Sequence, residues 1–471
     1  MLAALCVATF ACLGTATAAV WAYGKVNDLV RFGEDEVAVQ EAPPGEPANY
    51  LIVGSDSREN VSPDDPTLGS AEQVGGSRSD TIMVMRIDPA QTQVDVVSFP
   101  RDLYLPLANG TTQRINAAYG EGRQVLIDTI QQNFGITLNH YVEVDFTGFQ
   151  SMVEAIGGVP VYLDATYRDR RSGLEPVGPG CVNLEGEQAL AFARARALER
   201  WDDDTESWDT DPTADLGRIT RQQFLIRRAV AQVQALNPFT NPLTLADLLD
   251  VAVNSVGVDG GLSNDDLRDL GGRFRNFDPE TMVNHALPVS GFRTSGGASV
   301  LRLDEGPETD AILNIFRGLD PGEVLPSQVS VDVHNGSGAE MQGTHTASAL
   351  STLGFQAEVR PDAEHTEATT IAYAPGSEAA ATLLASHLTS QAEFVVDEDL
   401  EPNHLVLTTG DDFTTVVRQP WPEGTVEGPT TTTSTTTTTE PGGTTTTSEP
   451  PTTTTTEPIG FLPEAPEGAD C

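Results

Sequence analysis

The sequence predicts an α/β protein with two folded units, and three observations carry that prediction. From Tyr50 onward, short apolar strands alternate with helical patterns of period 3.6 over short connections. Within that alternation, TIMVMRID (81–88) and QVDVVSF (93–99) flank a turn at Asp88-Pro89 and read as an antiparallel hairpin. A second strand-and-helix alternation begins at Val329, after mixed helix and loop from Asn237 to Pro326. With 471 residues, 39% of them hydrophobic, the chain has material for two or three cores.

Taken in order, Met1–Tyr23 is almost entirely apolar or small, about the ~20 residues that cross a bilayer. It reads as an export signal or an anchor, and its length favours an uncleaved signal anchor over residues 1–24, although the Ala-rich stretch Thr15–Ala22 offers a cleavage site. A single pass through the cell membrane with everything after it extracytoplasmic is the expectation. Residues 25–48, acidic and Pro-containing, read as a linker. Tyr50–Gly54 is a short buried strand running into SDSR (55–58), and a Pro/Gly/Asp loop leads to GGSRSDT (75–81). In the hairpin that follows, the start of the first strand and the end of the second share an edge, which places Arg78 and Asp80 beside Arg101 and Asp102. Asp56 and Arg58 join that rim if their strand pairs antiparallel to the first.

RINAAYG (114–120) leads into a helical pattern through Phe134, and His140–Leu163 reads strand, helix, glycine turn at Gly157-Gly158, strand. His140 is a lone histidine before a strand and reads as structural. A helix from near Glu185 carries Leu190 on its apolar face. Arg194 and Arg196 stand two apart, so they face one ligand together only if the helix ends near Ala193 and FARAR is extended. Arg218, Arg221, Gln222 and Leu225 instead follow the i, i+3, i+4, i+7 rule of a helix from Gly217 to about Leu236. Between these halves, Trp201–Asp215 is dense in Asp and reads as a mobile, solvated loop. The second unit reads as strands and helices from Val329 to about Asp412. Residues 415–471, with runs of threonine, read as a disordered tail.

The formal net charge is -43, and Lys25 is the sole lysine. This argues against general nucleic-acid affinity, and it makes a local gathering of arginines conspicuous. Guanidinium forks bind phosphate bidentately, and carboxylates beside them suit Mg²⁺ bridged to phosphate oxygens. Ion-paired surface arginines and turn-capping aspartates are the plainer alternative. Cys6 and Cys12 lie in the apolar segment, which leaves Cys181 and Cys471 either to pair across the tail or to stand as free thiols.

The ordered set GSDSR, SRSDT, SFPRDLY, RINAAYG, HYVEVDFTGF, AIGGVPVYL, LEGEQALAFARAR and GRITRQQ resembles the LytR-CpsA-Psr family of cell-wall glycopolymer ligases over roughly Asn49–Gln234. VHNGSG (333–338) and TTIAYAPGS (369–377) resemble the LytR C-terminal domain that accompanies it. The resemblance implies a three-layer α/β/α sandwich with a central mixed sheet and a pocket for a lipid tail in residues 49–326, and a small α/β domain in 327–414. It also implies a membrane-anchored phosphotransferase that moves a glycopolymer from a polyprenyl-pyrophosphate carrier to peptidoglycan. By motif position, Asp56 and Asp80 would hold Mg²⁺ and, with Arg101, be catalytic. Arg78, Arg101, Arg194, Arg196, Arg218 and Gln222 would bind pyrophosphate, with Arg58, Asn116 and Arg221 as further candidates. Asp56, Asp80 and Asp102 are the available bases. A pyrophosphatase acting on the same lipid, and a non-enzymatic binder of pyrophosphate lipid or wall, are the competing readings.

Overall fold

The computed structural model describes residues 27–43, 45–56, 79–89, 94–236, 242–274, 277–320, 322–421, 461 and 471. The anchor expected over residues 1–24 lies outside them, and no helix among the described residues is long and apolar enough to cross a membrane. Two compact units divide the chain. One runs to Asp304 and takes in the far C-terminal residues; the other begins at Glu305. That division precedes the expected boundary at 326/327, because helix Pro307–Arg317 is tied onward: Asn314 donates to the Glu323 carbonyl and accepts from Gln328.

The first unit is an α/β/α sandwich. Its central sheet holds, among the described residues, β1 (Val30–Phe32), β2 (Ala48–Ser55), β3 (Ser79–Ile87), β4 (Val94–Ser98), β5 (His140–Asp145), β6 (Val256–Asp259) and β7 (Met282–Ala286), in the spatial order β1-β6-β5-β2-β3-β4-β7. The sheet is mixed: β1/β6, β5/β2 and β4/β7 are parallel, and the remaining pairs are antiparallel. Strand periodicity assigns the faces. Ser55 on β2 meets Tyr119 of α1 (Asn116–Glu121), and α2 (Arg123–Phe134) follows on that side, with Phe134 packed 4.6 Å from Phe99. Ile52, on the opposite face, clusters with Met83 and with Ile226 of α5 (Asp215–Ala235). That second layer also contains α3 (Phe146–Ala155) and α4 (Gly186–Arg194), which pack on one another, and α6 (Pro242–Ser255), which packs on α3. Coverage on both faces explains why Leu51, Val53 and Val84 are fully buried.

Three sequence expectations change here. Residues 25–48 are not wholly a linker, because β1 pairs with β6 and Val37 is buried. Gly257 opposite makes room: a Cβ there would stand 2.5 Å from the Phe32 ring. Trp201–Asp215 is not a solvated mobile loop. Glu199–Asp202 and Ser207–Thr210 pair as a hairpin and extend an accessory sheet through Tyr167–Asp169 to Leu174–Val177. Cross-strand packing of Trp201 on Trp208, and Arg168 over the Trp208 ring at 3.8 Å, outweigh the local charge. The tail expected over 415–471 falls mostly outside the described residues, but its described parts are ordered. Trp421 donates to Ser386 and Leu388, Phe461 packs into the core of the first unit, and Cys471 forms a disulfide with Cys181.

The second unit is a five-stranded sheet in the order Gln356–Val359, Ser330–Asn335, His404–Thr409, Thr370–Tyr373, Glu393–Val396, with helices Gln342–Thr352 and Glu378–Ser386. Its core gathers Val331, Val333, Leu350, Ile371, Leu384 and Leu407.

Candidate active site

The register of β2, β3 and β4 builds one rim. Ser55 lies opposite Ser79 past a bulge, Met83 opposite Ser98, and the Phe99 amide donates to Ile82 at 2.9 Å. Asp80, near the start of β3, therefore meets Arg101, just past β4, as an ion pair with a charge-assisted hydrogen bond. Asp56 follows Ser55 at the end of β2 on the same rim. A buried chain steadies that end. The Tyr119 hydroxyl lies within hydrogen-bond distance of both Glu143 (2.8 Å) and Ser55 (2.9 Å). Burial pushes the Tyr119 phenol up to about 12. The Asn116 amide donates to the Arg101 carbonyl, so this candidate ties α1 to the rim through its backbone.

α4 ends at Arg194, one residue past the expected stop, and Ala195 is extended (φ -60°, ψ 124°). Three side chains hold the backbone that follows. Gln222 donates to the Ala193 carbonyl at 3.2 Å, Arg221 donates to the Ala195 carbonyl at 2.6 Å, and Asp169 accepts the amides of Arg196 and Ala197 at 2.9 Å each. Arg221 is fully buried and paired with equally buried Asp211 at 2.7 Å. A Cβ on Gly217 would overlap Thr213 and Asp211 and stand 3.0 Å from Arg221, which accounts for glycine at the start of GRITRQQ. Arg221 thus clamps the arginine-bearing segment rather than facing a ligand. Gln222 does both, bonding Ala193 while lining a cavity.

Asp215, read within the acidic insert as solvated, stands at the centre of the cluster. Its Oδ1 lies 3.1 Å from Arg218, 3.2 Å from Arg196 and 3.8 Å from Arg101. Asp102 pairs with Arg114 at 2.9 Å and Arg196 at 3.5 Å. Arg218 is 2% exposed; burial pushes its guanidinium below the ordinary value, against the pull of Asp215 and Asp80. Burial alone would raise the Asp80 carboxyl, but Arg218, Arg101 and Arg194 together hold it below the usual carboxylate range. The Nε atoms of Arg101, Arg196 and Arg218 are buried and make no hydrogen bond among the described residues. Those of Arg196 and Arg101 face Asp215 Oδ1, at 3.2 and 3.8 Å. Arg58 and Arg78 lie outside the described residues. His140 is structural, stacked on Tyr50 and facing Asp259.

Two compartments adjoin at this cluster. One is a cavity of about 530 Å³ between the sheet and the α3–α5 layer, lined by apolar side chains including Ile52, Phe149, Met152, Leu225 and Ala229. The other, about 320 Å³, is lined by Asp80, Arg101, Arg171, Arg194, Arg196 and Arg218, with Ser172 and Ala214. Asp80 and Arg194 belong to both walls, and the Arg194 guanidinium lies 4.4 Å above the Phe146 ring. An apolar cavity beside an arginine cluster has the chemistry to take an amphiphile with an anionic head. Sequence reasoning missed the roles of Asp169, Asp211, Asp215 and Arg171; Asp169 and Asp215 both reach Arg196, 27 and 19 residues away, which no local period shows.

Among the described residues no group of three or more His, Cys, Asp and Glu is placed to hold a metal ion. Mg²⁺ asks for less, keeping most of its waters and leaning on one or two carboxylates plus substrate phosphate. Asp80, a hard oxygen donor 18% exposed on the compartment wall, fits that demand, with Asp56 on the same rim.

The comparisons identify the class as the site does. Residues 23–315 match the LytR_cpsA_psr family model, and the chain belongs to that family. Residues 328–413 match the model described as LytR cell envelope-related transcriptional attenuator. The chain is 26% identical over 416 residues to the cell wall biosynthesis protein LcpA of Corynebacterium glutamicum, covering 78% of this chain and 76% of that one. It is 29% identical over 262 residues to the polyisoprenyl-teichoic acid–peptidoglycan teichoic acid transferase TagU of Enterococcus faecalis, covering 55% and 76%. Among solved structures it is similar to a LytR-Csp2A-Psr enzyme from Actinomyces oris, with a TM-score of 0.48, 22% identity, and coverage of 62% of this chain and 97% of that one.

Proposed function

We propose that this chain is an extracytoplasmic, membrane-anchored phosphotransferase that moves a glycopolymer from a polyprenyl-pyrophosphate carrier onto a peptidoglycan hydroxyl. The observation that carries the reading is the shared wall of Asp80 and Arg194: an apolar cavity and an arginine compartment meet where a prenyl chain would join its pyrophosphate. The names of the LcpA and TagU relatives support wall polymer and peptidoglycan as partners.

In this mechanism the acceptor hydroxyl oxygen attacks the glycan-side phosphorus, the bridging P–O bond breaks, and prenyl phosphate leaves with that electron pair and takes up the hydroxyl proton. Arg101, Arg196 and Arg218 neutralise the charge that spreads over the phosphoryl oxygens, and Arg194 holds the phosphate at the cavity mouth. Asp215 and Asp102 hold the guanidiniums in place. Asp80, with Asp56, would hold Mg²⁺, which when bound adds charge neutralisation at the phosphates. Asp80 stays ionised at neutral pH, as a metal ligand requires.

Full-length protein in detergent, incubated with a prenyl-pyrophosphate-linked glycan, peptidoglycan and Mg²⁺, tests the reading. Glycan joined to peptidoglycan through phosphate, with prenyl phosphate released, is the expected result, and EDTA should abolish it. Free glycan phosphate would establish a pyrophosphatase instead, and stoichiometric lipid capture without product would establish a binder.

A further inference from the structure

Arg171 and Ser172 line the arginine compartment but not the apolar cavity. They sit on the turn joining strands Tyr167–Asp169 and Leu174–Val177, outside every motif that marks the family resemblance. The turn is held from within. Asp169, fully buried, accepts the amide of Arg171 at 2.7 Å and that of Ser172 at 3.3 Å through one carboxylate oxygen. Its other oxygen accepts the amides of Arg196 and Ala197. A single carboxylate therefore locks the Arg171 turn to the segment that presents Arg196. Its main-chain carbonyl also accepts from Ser172 Oγ and from the Gly173 amide. The Arg171 backbone is fixed while its side chain stays exposed.

Position along the donor decides what this turn meets. Asp80 and Arg194 mark the boundary between the compartments, so the ligand's apolar end lies on one side and whatever follows the phosphates lies on the other. Arg171 and Ser172 share that far side with Arg101, Arg196 and Arg218, but those three are held by Asp80, Asp102 and Asp215, whereas the exposed Arg171 guanidinium makes no ion pair among the described residues. A guanidinium offers five donors in a fixed fork, and a serine hydroxyl donates and accepts. Together they match the vicinal hydroxyl and acetamido oxygens of a sugar. Resting on the reading above, we propose that Arg171 and Ser172 contact the first sugar attached to the glycan-side phosphate and are specificity-determining residues for the donor.

The test measures binding to full-length protein in detergent, using two probes: a prenyl pyrophosphate, and the same lipid carrying one N-acetylhexosamine. Arg171→Ala should weaken binding of the sugar-bearing probe about tenfold, the order expected on losing hydrogen bonds from a charged donor, and leave the plain pyrophosphate unchanged. Ser172→Ala should act in the same direction to a smaller extent, while Arg170→Ala, at the exposed neighbour, should match wild type for both. An equal loss for both probes with Arg171→Ala would overturn the proposal and make Arg171 one more pyrophosphate ligand; no loss for either would overturn it as well. Wild-type protein that bound neither probe would instead sink the donor reading on which the inference rests. Because Arg171 is exposed, an unchanged melting temperature is expected, and a fall with loss of both probes would mark a structural role and contradict the assignment.

Discussion

Arg221 separates a structural clamp from a phosphate ligand, two roles that its motif alone leaves equivalent. In Arg221→Met the apolar stem keeps its packing, but Asp211 is left as a buried carboxylate without its cation and the Ala195 carbonyl loses its donor. Breaking a buried pair by removing one partner costs about 3–5 kcal/mol, and an orphaned buried acceptor adds roughly 1–3 kcal/mol. Local relaxation absorbs part of that, so a net loss of about 4 kcal/mol is expected. With a urea m value of about 3 kcal/mol per molar, the midpoint for unfolding of the first unit should fall by roughly 1.3 M. Adding Asp211→Leu removes the stranded charge and should restore about half of the loss, because the two sites are coupled. A midpoint within about 0.2 M of wild type, combined with weakened pyrophosphate binding, would refute the clamp and return Arg221 to the ligand set.

The Asp211 pair also fixes a pH dependence. Burial raises the Asp211 carboxyl, but hydrogen bonds from Thr213 and Arg221 outweigh it, so its folded pKa lies below the unfolded value of about 3.9. Its stabilisation is therefore full above about pH 4 and lost as pH falls through the folded pKa. Asp211→Asn should be less stable than wild type at pH 7, and acid titration of both should show the gap closing below about pH 4. Ala229→Trp should narrow the apolar cavity. Excluding about three methylenes costs about 2.4 kcal/mol, so affinity for a long-chain prenyl pyrophosphate should drop roughly fiftyfold while a short-chain analogue is little affected. Cys181→Ser, or reduction of the Cys181–Cys471 bridge, should lower the stability of the first unit by about 2–4 kcal/mol, measured by thermal unfolding with and without reductant.

What the sequence shows depends on how far apart interacting residues lie. Local periods locate β2 to β5 and the helices α2 to α5, because burial on a sheet imposes alternation and burial on a helix imposes the 3.6 repeat. The two-residue spacing of Arg194 and Arg196 implies an extended FARAR, but Phe192–Arg194 are still helical and the chain leaves the helix only at Ala195, so the stop is legible within one residue and the extended segment is not. The shared helical face of Arg218, Arg221 and Gln222 is also legible, but their roles are not. Arg221 turns to Asp211, ten residues earlier, and to Ala195, so the roles emerge only from tertiary contacts. Asp211 and Asp215 look like solvated charges in an acidic run, and pairing with buried arginines is what removes them from water. Asp169 has no motif; its four amide partners come from two separate turns.

The account's central claim is that one donor spans both compartments, prenyl chain in the apolar cavity and pyrophosphate among the arginines. A prenyl pyrophosphate with a photoreactive diazirine at the end of its chain tests this directly, by crosslinking to full-length protein and mapping the labelled peptides by mass spectrometry. Label should fall on the cavity walls of α3 and α5, around Phe149, Met152 and Ala229, and unlabelled prenyl pyrophosphate should compete it away. Label confined to the second unit, or label on α3 and α5 that free pyrophosphate lipid fails to displace, would contradict the claim.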